Sequence, residues 1–351
     1  MPNVNFAGSV LPRTLLKLGT VFSGGDARYA QYNNKKSSAI KTIVERQTAR
    51  TNELFNGNKC VGVDVTFYKD CTPLGAYACA APPTTGGCEL VATETGATQT
   101  VTYHPNCYHS ESFALNDDLC SNEFLAEDVL MKKMANAIDR LDVKMNRYAI
   151  AQIAANATTN LYPATVGTVV GTRTDIPAAL WTPDLLVQIE QDIEFAGINN
   201  FVILDAYNLL TQRQLAMYRN VNDHNRDEER IFGNYDSRIV FENATDITTV
   251  LSRRSTLVWD LDSVALVNRS FFPSATPVLV DASKNIYEFH VISPRTGLKY
   301  DVEYQKTCQD TRDANGQRVY NHVFVVKFLG GIVFAPSQCD GSNGVLEFTY
   351  V

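Results

Sequence analysis

SNEFLAEDVLMKKMANAIDRLDVKMNRYAIAQIAAN, residues 121–156, holds neither glycine nor proline and reads as one uninterrupted helix. At a rise of ~1.5 Å per residue it would be about 50 Å long, against a mean of about 11–12 residues for helices of globular proteins. Leu130, Met134, Ile138, Leu141, Met145 and Tyr148 recur at spacings of four and three and form one apolar stripe. Lys132, Lys133, Asp139, Arg140, Asp142, Lys144 and Arg147 fall largely outside it and are expected to face solvent. Ser121 or Asn122 can cap the start, where Glu123, Glu127 and Asp128 favour the positive end of the helix dipole. The heptad-like pattern does not continue beyond this segment and the flanks are rich in strand patterns. A helix laid across a sheet is therefore expected rather than a coiled-coil strand.

Downstream, Pro183 and Asp184 open a helix that buries Leu185, Leu186, Ile189 and Ile193 and stops at Gly197. NFVILD (200–205) is a continuous apolar strand, and AYNLLTQRQLAMYR follows it as a second helix. Short strand or helix candidates then crowd together at 237–243, 247–252, 255–261 and 264–272. LKYDVEYQ (298–305) alternates throughout and pairs with IYEFHVIS across the turn Pro294–Gly297. Asn315-Gly316 turns the chain again into RVYNHVFVVKFLGGIVF, and VLEFTYV (345–351) closes it as a strand.

Upstream, residues 1–37 carry Pro2, Pro12, Gly19, Gly24 and Gly25 and read as an extended arm, followed by a short helix from Ser38. GVDVTFY (62–68) and QTVTYH (99–104) are strand patterns that suggest a long hairpin. The net charge of −7 is uneven. Residues 1–50 hold eight basic residues against Asp26 and Glu45, a net +6 that leaves −13 for the remainder. A basic arm (Arg13, Lys17, Arg28, Lys35, Lys36) that docks on acidic neighbours, and that orders only against them, is the expectation. The N-terminus lacks a signal-peptide pattern and no apolar run could cross a membrane, so an unexported, soluble chain with no membrane partner is expected.

The motifs of common enzyme classes (GxSxG, a Walker glycine loop, GxGxxG, HExxH) do not occur, so no catalytic residues and no cofactor are expected. His104, Cys107 and His109 fall within six residues but lack the paired spacing of a zinc site, so no metal is expected. The cysteines form the sharper pattern. Cys60, Cys71, Cys79, Cys88, Cys107 and Cys120 cluster ahead of the long helix, and Cys308 and Cys339 lie in the last strands. The even number in each block favours disulfides, with eight reduced thiols as the alternative and the connectivity open.

In this order (basic arm, hairpin region, long helix, mixed middle region, closing strands) the chain resembles the major capsid protein of tailed bacteriophages, the Hong Kong 97 fold. FVILDAYNLLTQRQLAMYR resembles that family's strand and helix in the axial domain, and VFVVKFLGGIVFAPSQC its late β segment through the peripheral domain. The cysteine-rich 60–120 insertion is larger than the family's extended loop. The resemblance implies an α+β fold with an N-arm at 1–37, an extended loop region at 38–120 and a spine helix at 121–161. It places the axial domain at 162–272 and implies strands at 273–351 shared by the two domains. It implies a shell that encloses double-stranded DNA, assembled from hexamers and pentamers in the bacterial cytoplasm and residing in the virion. Portal, scaffold and decoration proteins would be partners, with packaged DNA bound non-specifically. A fused scaffolding domain is not expected, because no long acidic or helical leader precedes the arm. An encapsulin-type nanocompartment and a disulfide-rich adhesin or tail-associated binding protein are the alternative readings.

Overall fold

A computed structural model describes residues 6–22, 37–46, 63–69, 97–103, 107–116, 123–158, 166–181, 185–198, 200–206, 239–261, 263–312, 318–336 and 343–351. The described helices are α1 (Leu11–Phe22), α2 (Ser38–Arg46), the 33-residue α3 (Glu123–Ala155), α4 (Leu185–Phe195) and α5 (Ala244–Leu251). A π-helical turn, Phe6–Val10, precedes α1. The strands are β1 (Val63–Lys69), β2 (Ala97–Tyr103), β3 (Cys107–Asn116), β4 (Thr168–Val170), β5 (Arg173–Ile176), β6 (Phe201–Asp205) and β7 (Ile239–Phe241). They continue with β8 (Arg254–Asp260), β9 (Val264–Arg269), β10 (Val278–Asp281), β11 (Ile286–Ile292), β12 (Lys299–Arg312), β13 (Arg318–Phe334) and β14 (Val345–Tyr350). The class is α+β, as the sequence leads one to expect.

The helix α3 lies on a sheet, not in a coiled coil. The sheet is antiparallel in the order β10-β11-β12-β13-β3, and β9 also pairs with β13. Alternation does the work expected of a half-buried strand. Tyr300, Val302 and Tyr304 of β12, Phe324, Val326 and Phe328 of β13, and Phe289 and Val291 of β11 all turn inward. They share one core with Leu130, Met134, Ile138, Leu141 and Met145, each fully buried, while Tyr148 packs at its edge. The apolar stripe read from the sequence is thus the sheet-facing side of α3. Aromatic rings fill the core: Tyr304 stacks on Phe324 at 4.7 Å between centroids, and His322 Nδ1 is 2.7 Å from the Tyr304 hydroxyl. A Cβ at Gly330 would lie 2.1 Å from the Val267 carbonyl oxygen, so a glycine is required where β9 meets β13.

The second sheet has the order β4-β5-β14-β8-β6-β7 and is mixed, β14 running parallel to β5 and β6 parallel to β7. One face packs on α4 through Leu185, Ile189, Ile193, Ile203, Val258 and Phe348. The other face, with Val202, Leu204, Leu257, Trp259 and Val345, joins the core that contains α3. Gly197 ends α4 at φ +73°, as its position after the last apolar residue suggests. The second helix expected after NFVILD, the charged loop at 220–236 and the Asn315-Gly316 turn lie outside the described residues.

Three expectations are corrected. The stretch 6–22 is not an extended arm that awaits a neighbour. It is helical, and Phe6, Val10, Leu11, Leu18 and Val21 are buried against its own chain. Pro12 is tolerated because its missing N–H falls where the ladder changes from π to α spacing, and one exposed glycine costs a helix only about 1 kcal/mol. Residues 107–116 do not belong to a thin extended loop, since β3 pairs with β13 from Asn116↔Asn321 to Cys107↔Gly330. Finally, β9 (264–269) lies in the main sheet, not with the 162–261 elements of the second sheet.

If α1 is part of the single-chain core, Leu11→Ala should cost about 2–5 kcal/mol in urea unfolding of the unassembled chain. Leu16→Ala, at an exposed position of the same helix, should stay within about 0.5 kcal/mol. Equal silence at both would mean that α1 folds only against another copy.

Candidate functional site

A second stripe runs along α3, a quarter-turn or more from the sheet-facing one, and it organises what lies on the helix's other side. Glu127, Met131, Ala135, Asp139, Asp142 and Asn146 follow one another at spacings of four and three, and all are buried. Glu127 accepts a hydrogen bond from Lys17 of α1, and Met131 and Ala135 pack on Val21 and Phe22 at the end of α1. Asp139 and Asp142, expected from the sequence to face solvent, instead hold the turn between β11 and β12. Asn146 holds the start of α2. Among the solvent-side charges of α3, Arg140 and Lys144 pair with Glu111 of β3. Burial alone would raise the Glu111 pKa, but the Lys144 hydrogen bond and the Lys144 and Arg140 charges outweigh it and hold the carboxyl low.

At the β11–β12 turn, Ser293 Oγ donates to Asp142 Oδ2 at 2.7 Å, while Thr296 Oγ1 (2.8 Å) and Tyr300 OH (2.6 Å) donate to Oδ1. Arg295 pairs with Asp139 at 2.7 Å and its guanidinium lies 5.3 Å from the Phe22 ring centre. Gly297, at φ +75°, closes the turn. Burial pushes the Asp142 pKa up, against the pull of its three hydroxyl donors and of Arg295. A comparable knot sits where α3 meets α2 and the second sheet. Glu242 Oε2 accepts from Ser38 N, Ala39 N and Asn146 Nδ2, each at 3.0 Å, and Asn146 Oδ1 accepts from Ile40 N at 3.2 Å. Asp142 and Glu242 are buried, and their oxygens are taken up by donors of their own chain. Their chemistry is positional. No helix among the described residues is long and apolar enough to cross a membrane.

The surface feature that stands out is the hairpin of β1 and β2, paired from Val63↔Tyr103 to Lys69↔Ala97. Thr98, Thr100 and Thr102 are exposed, Thr100 meeting Thr66 and Thr102 meeting Asp64. Val101 and Tyr103, on the alternate positions, are partly covered. The Tyr103 hydroxyl donates to the Phe334 carbonyl at 2.7 Å and ties the hairpin's base to β13, and burial pushes its pKa to about 12. Among the described residues no other helix or strand packs along the hairpin.

The residues singled out by sequence separate clearly. Lys17 is engaged with its own chain's Glu127, and Arg13 lies on α1. Arg28, Lys35 and Lys36 are outside the described residues, as are Cys60, Cys71, Cys79, Cys88, Cys120 and Cys339. Cys308 lies on β12. Cys107 is corrected as a disulfide candidate: it is a free, buried thiol 3.9 Å from Met145 Sδ, with its pKa raised to about 11 by burial. Its place opposite Gly330 at the end of β3 makes it a packing residue. The buried row Asp139, Asp142 and Asn146 was missed. Its spacing of three and four was visible, but polarity argued for the outside, and its partners lie far away in the sequence, on the Ser-Pro-Arg-Thr turn, on Tyr300 and on α2 with Glu242.

Because burial raises the Asp142 pKa in the folded state, the proton is bound more tightly there than in the unfolded chain. Its contribution to stability is present below the ordinary Asp value of about 4 and is lost as pH rises through the raised folded value. In urea unfolding, Asp142→Asn should remove that part of the pH slope and cost little at neutral pH, since an amide can still meet the three hydroxyls. Asp142→Leu should cost several kcal/mol, at about 1–3 kcal/mol for each orphaned hydroxyl. Identical pH profiles for wild type and Asp142→Asn would contradict this.

No protein-family model and no characterised protein sequence matches the chain. Solved structures similar to it come from phages. "Mycobacterium phage Adephagia" is 11% identical, with 96% of each chain covered and a TM-score of 0.43. The "asymmetric unit of bacteriophage PhiM1 mature capsid" is 10% identical, with 85% of this chain and 84% of that one covered and a TM-score of 0.43. The "capsid structure of Staphylococcus phage Andhra" is 10% identical, with 87% and 85% covered and a TM-score of 0.41. At such identities no residue's role carries over from them.

Proposed function

We propose that the chain is the major capsid protein of a tailed phage, a structural protein without catalytic activity. Its copies close into an icosahedral-type shell around double-stranded DNA. The observation that carries this reading is the β1–β2 hairpin. A two-stranded hairpin is marginal at best in water, and no described element of its own chain lies along this one. A repeated neighbour supplies the missing cover without any new partner, because in a closed symmetric assembly each surface meets the same complementary surface again. The layout around it supports the same reading: a long helix on a main sheet, a second sheet unit behind it and a projecting hairpin are what the resemblance to the Hong Kong 97 fold implies. On this reading α3 and the main sheet are the peripheral domain and the second sheet is the axial domain. Assembly takes place in the bacterial cytoplasm, with portal, scaffold and decoration proteins and packaged DNA as further partners. Disulfides among the cysteines other than Cys107 would harden the shell once it leaves the reducing cytoplasm.

Replacing residues 63–103 by a short Gly-Ser linker should leave a folded, soluble chain that forms no closed particles in negative-stain micrographs, whereas cells expressing the wild type contain them. Normal particles from the shortened chain would overturn the role given to the hairpin. A wild type that stays a monodisperse monomer at high concentration, with no particles in infected or expressing cells, would overturn the shell.

A further inference from the structure

Among the described residues, the start of α2 is capped by none of its own segment. Its first N–H groups, on Ser38, Ala39 and Ile40, have no partner within the helix, and the usual remedy is a side chain just ahead of it. Ser37 stands there and is buried, yet its hydroxyl makes no hydrogen bond among the described residues. The three donors are met instead by two side chains distant in sequence, Glu242 Oε2 for Ser38 and Ala39, and Asn146 Oδ1 for Ile40. The two acceptors hold each other, Asn146 Nδ2 donating to Glu242 at 3.0 Å. They belong to different bodies. Asn146 is on α3, whereas Glu242 directly follows the edge strand β7, and its own N–H donates to the Asp205 carbonyl of β6 at 2.8 Å. Ser38 Oγ adds a further link to the Phe241 carbonyl.

We propose that Glu242 and Asn146 form a latch that makes the seating of α2 conditional on the position of the second sheet against α3, so that α2 and β7 come free together. Neither half can cap the helix alone: a displacement of the second sheet by more than a hydrogen bond's tolerance leaves Ser38 and Ala39 without acceptors in a buried seam. The apolar side chains Ala39, Ile40 and Ile43 hold α2 down, and the polar pair decides where.

The electrostatics support a positioning role over a stabilising one. Among the described residues no cation pairs with Glu242: its charged neighbour Asp246 of α5 is a like charge, itself paired with Arg147 of α3 at 2.8 Å, and Lys41 of α2 pairs with Glu45. Burial outweighs the donors and raises the Glu242 pKa. A carboxylate kept at such a cost, with its geometry fully defined, serves specificity.

Hydrogen exchange by mass spectrometry on the full chain tests the latch, on the wild type, Glu242→Ala, Asn146→Ala and, as a control, Lys41→Ala. Peptides covering residues 38–46 and 239–242 should exchange about tenfold faster or more in both latch variants, while those from 135–150 of α3 and from β12 stay as in the wild type. Lys41→Ala should leave all of them unchanged. Wild-type protection of α2 in the latch variants overturns the proposal. So does loss at α2 with β7 untouched, or equal loss across the chain. Should Glu242→Ala fail to fold, Asn146→Ala alone decides, since it removes one acceptor and the link between the two halves.

Discussion

A helix of 33 residues packed on two sides must satisfy the polar groups it carries inside, and the rest of this fold is arranged to do so. One side of α3 is apolar and takes the main sheet. The other carries Glu127, Asp139, Asp142 and Asn146, and together they bring three parts of the chain to fixed places: Glu127 holds α1 through Lys17, Asp139 and Asp142 hold the β11–β12 turn through Ser293, Arg295 and Thr296, and Asn146 holds α2 with the second sheet through Glu242. An unpaired carboxylate in such a place costs several kcal/mol, so alternatives in which these segments lie elsewhere are excluded more strongly than burial of apolar area alone would exclude them. The apolar face provides the gross stability and the polar face provides the address.

This division explains how two sheets are held on one helix. The second sheet spends one face on α4 and the other on the core around α3, so it cannot separate without exposing Leu204, Leu257 and Trp259. Small changes of angle are regulated more finely, by the hydrogen bonds at Glu242 and by the Arg147–Asp246 pair. The β1–β2 hairpin lies outside this economy. Among the described residues no other helix or strand packs along it, and on the proposed reading it is where a neighbour has something to supply.

The sequence made the frame legible and concealed the wiring. The sheet-facing stripe of α3, the buried strand Phe201–Asp205, the closing strands and the hairpin all follow period and propensity, which are local. Residues 6–22 misled because Pro12 and Gly19 are read as breakers, although a proline at a change of helical spacing and an exposed glycine cost little. The strand β3 was hidden because CYHSESFALN pairs with β13 some 200 residues away and has a polar outer face. The buried Asp139 and Asp142 were assigned to solvent by their charge alone. Their donors sit on a distant turn, and no period in α3 could announce them. The candidate site was the least legible part, since an assembly surface has no motif and is known by what its own chain leaves uncovered.

Cryo-electron microscopy of particles purified from cells that express the chain is the most direct test. The account predicts a closed shell in which every β1–β2 hairpin lies against another copy, while α3 keeps its contacts to Arg295, Thr296 and Glu242 within each copy. A chain that forms no closed particle, or particles in which the hairpins remain uncovered, would contradict it.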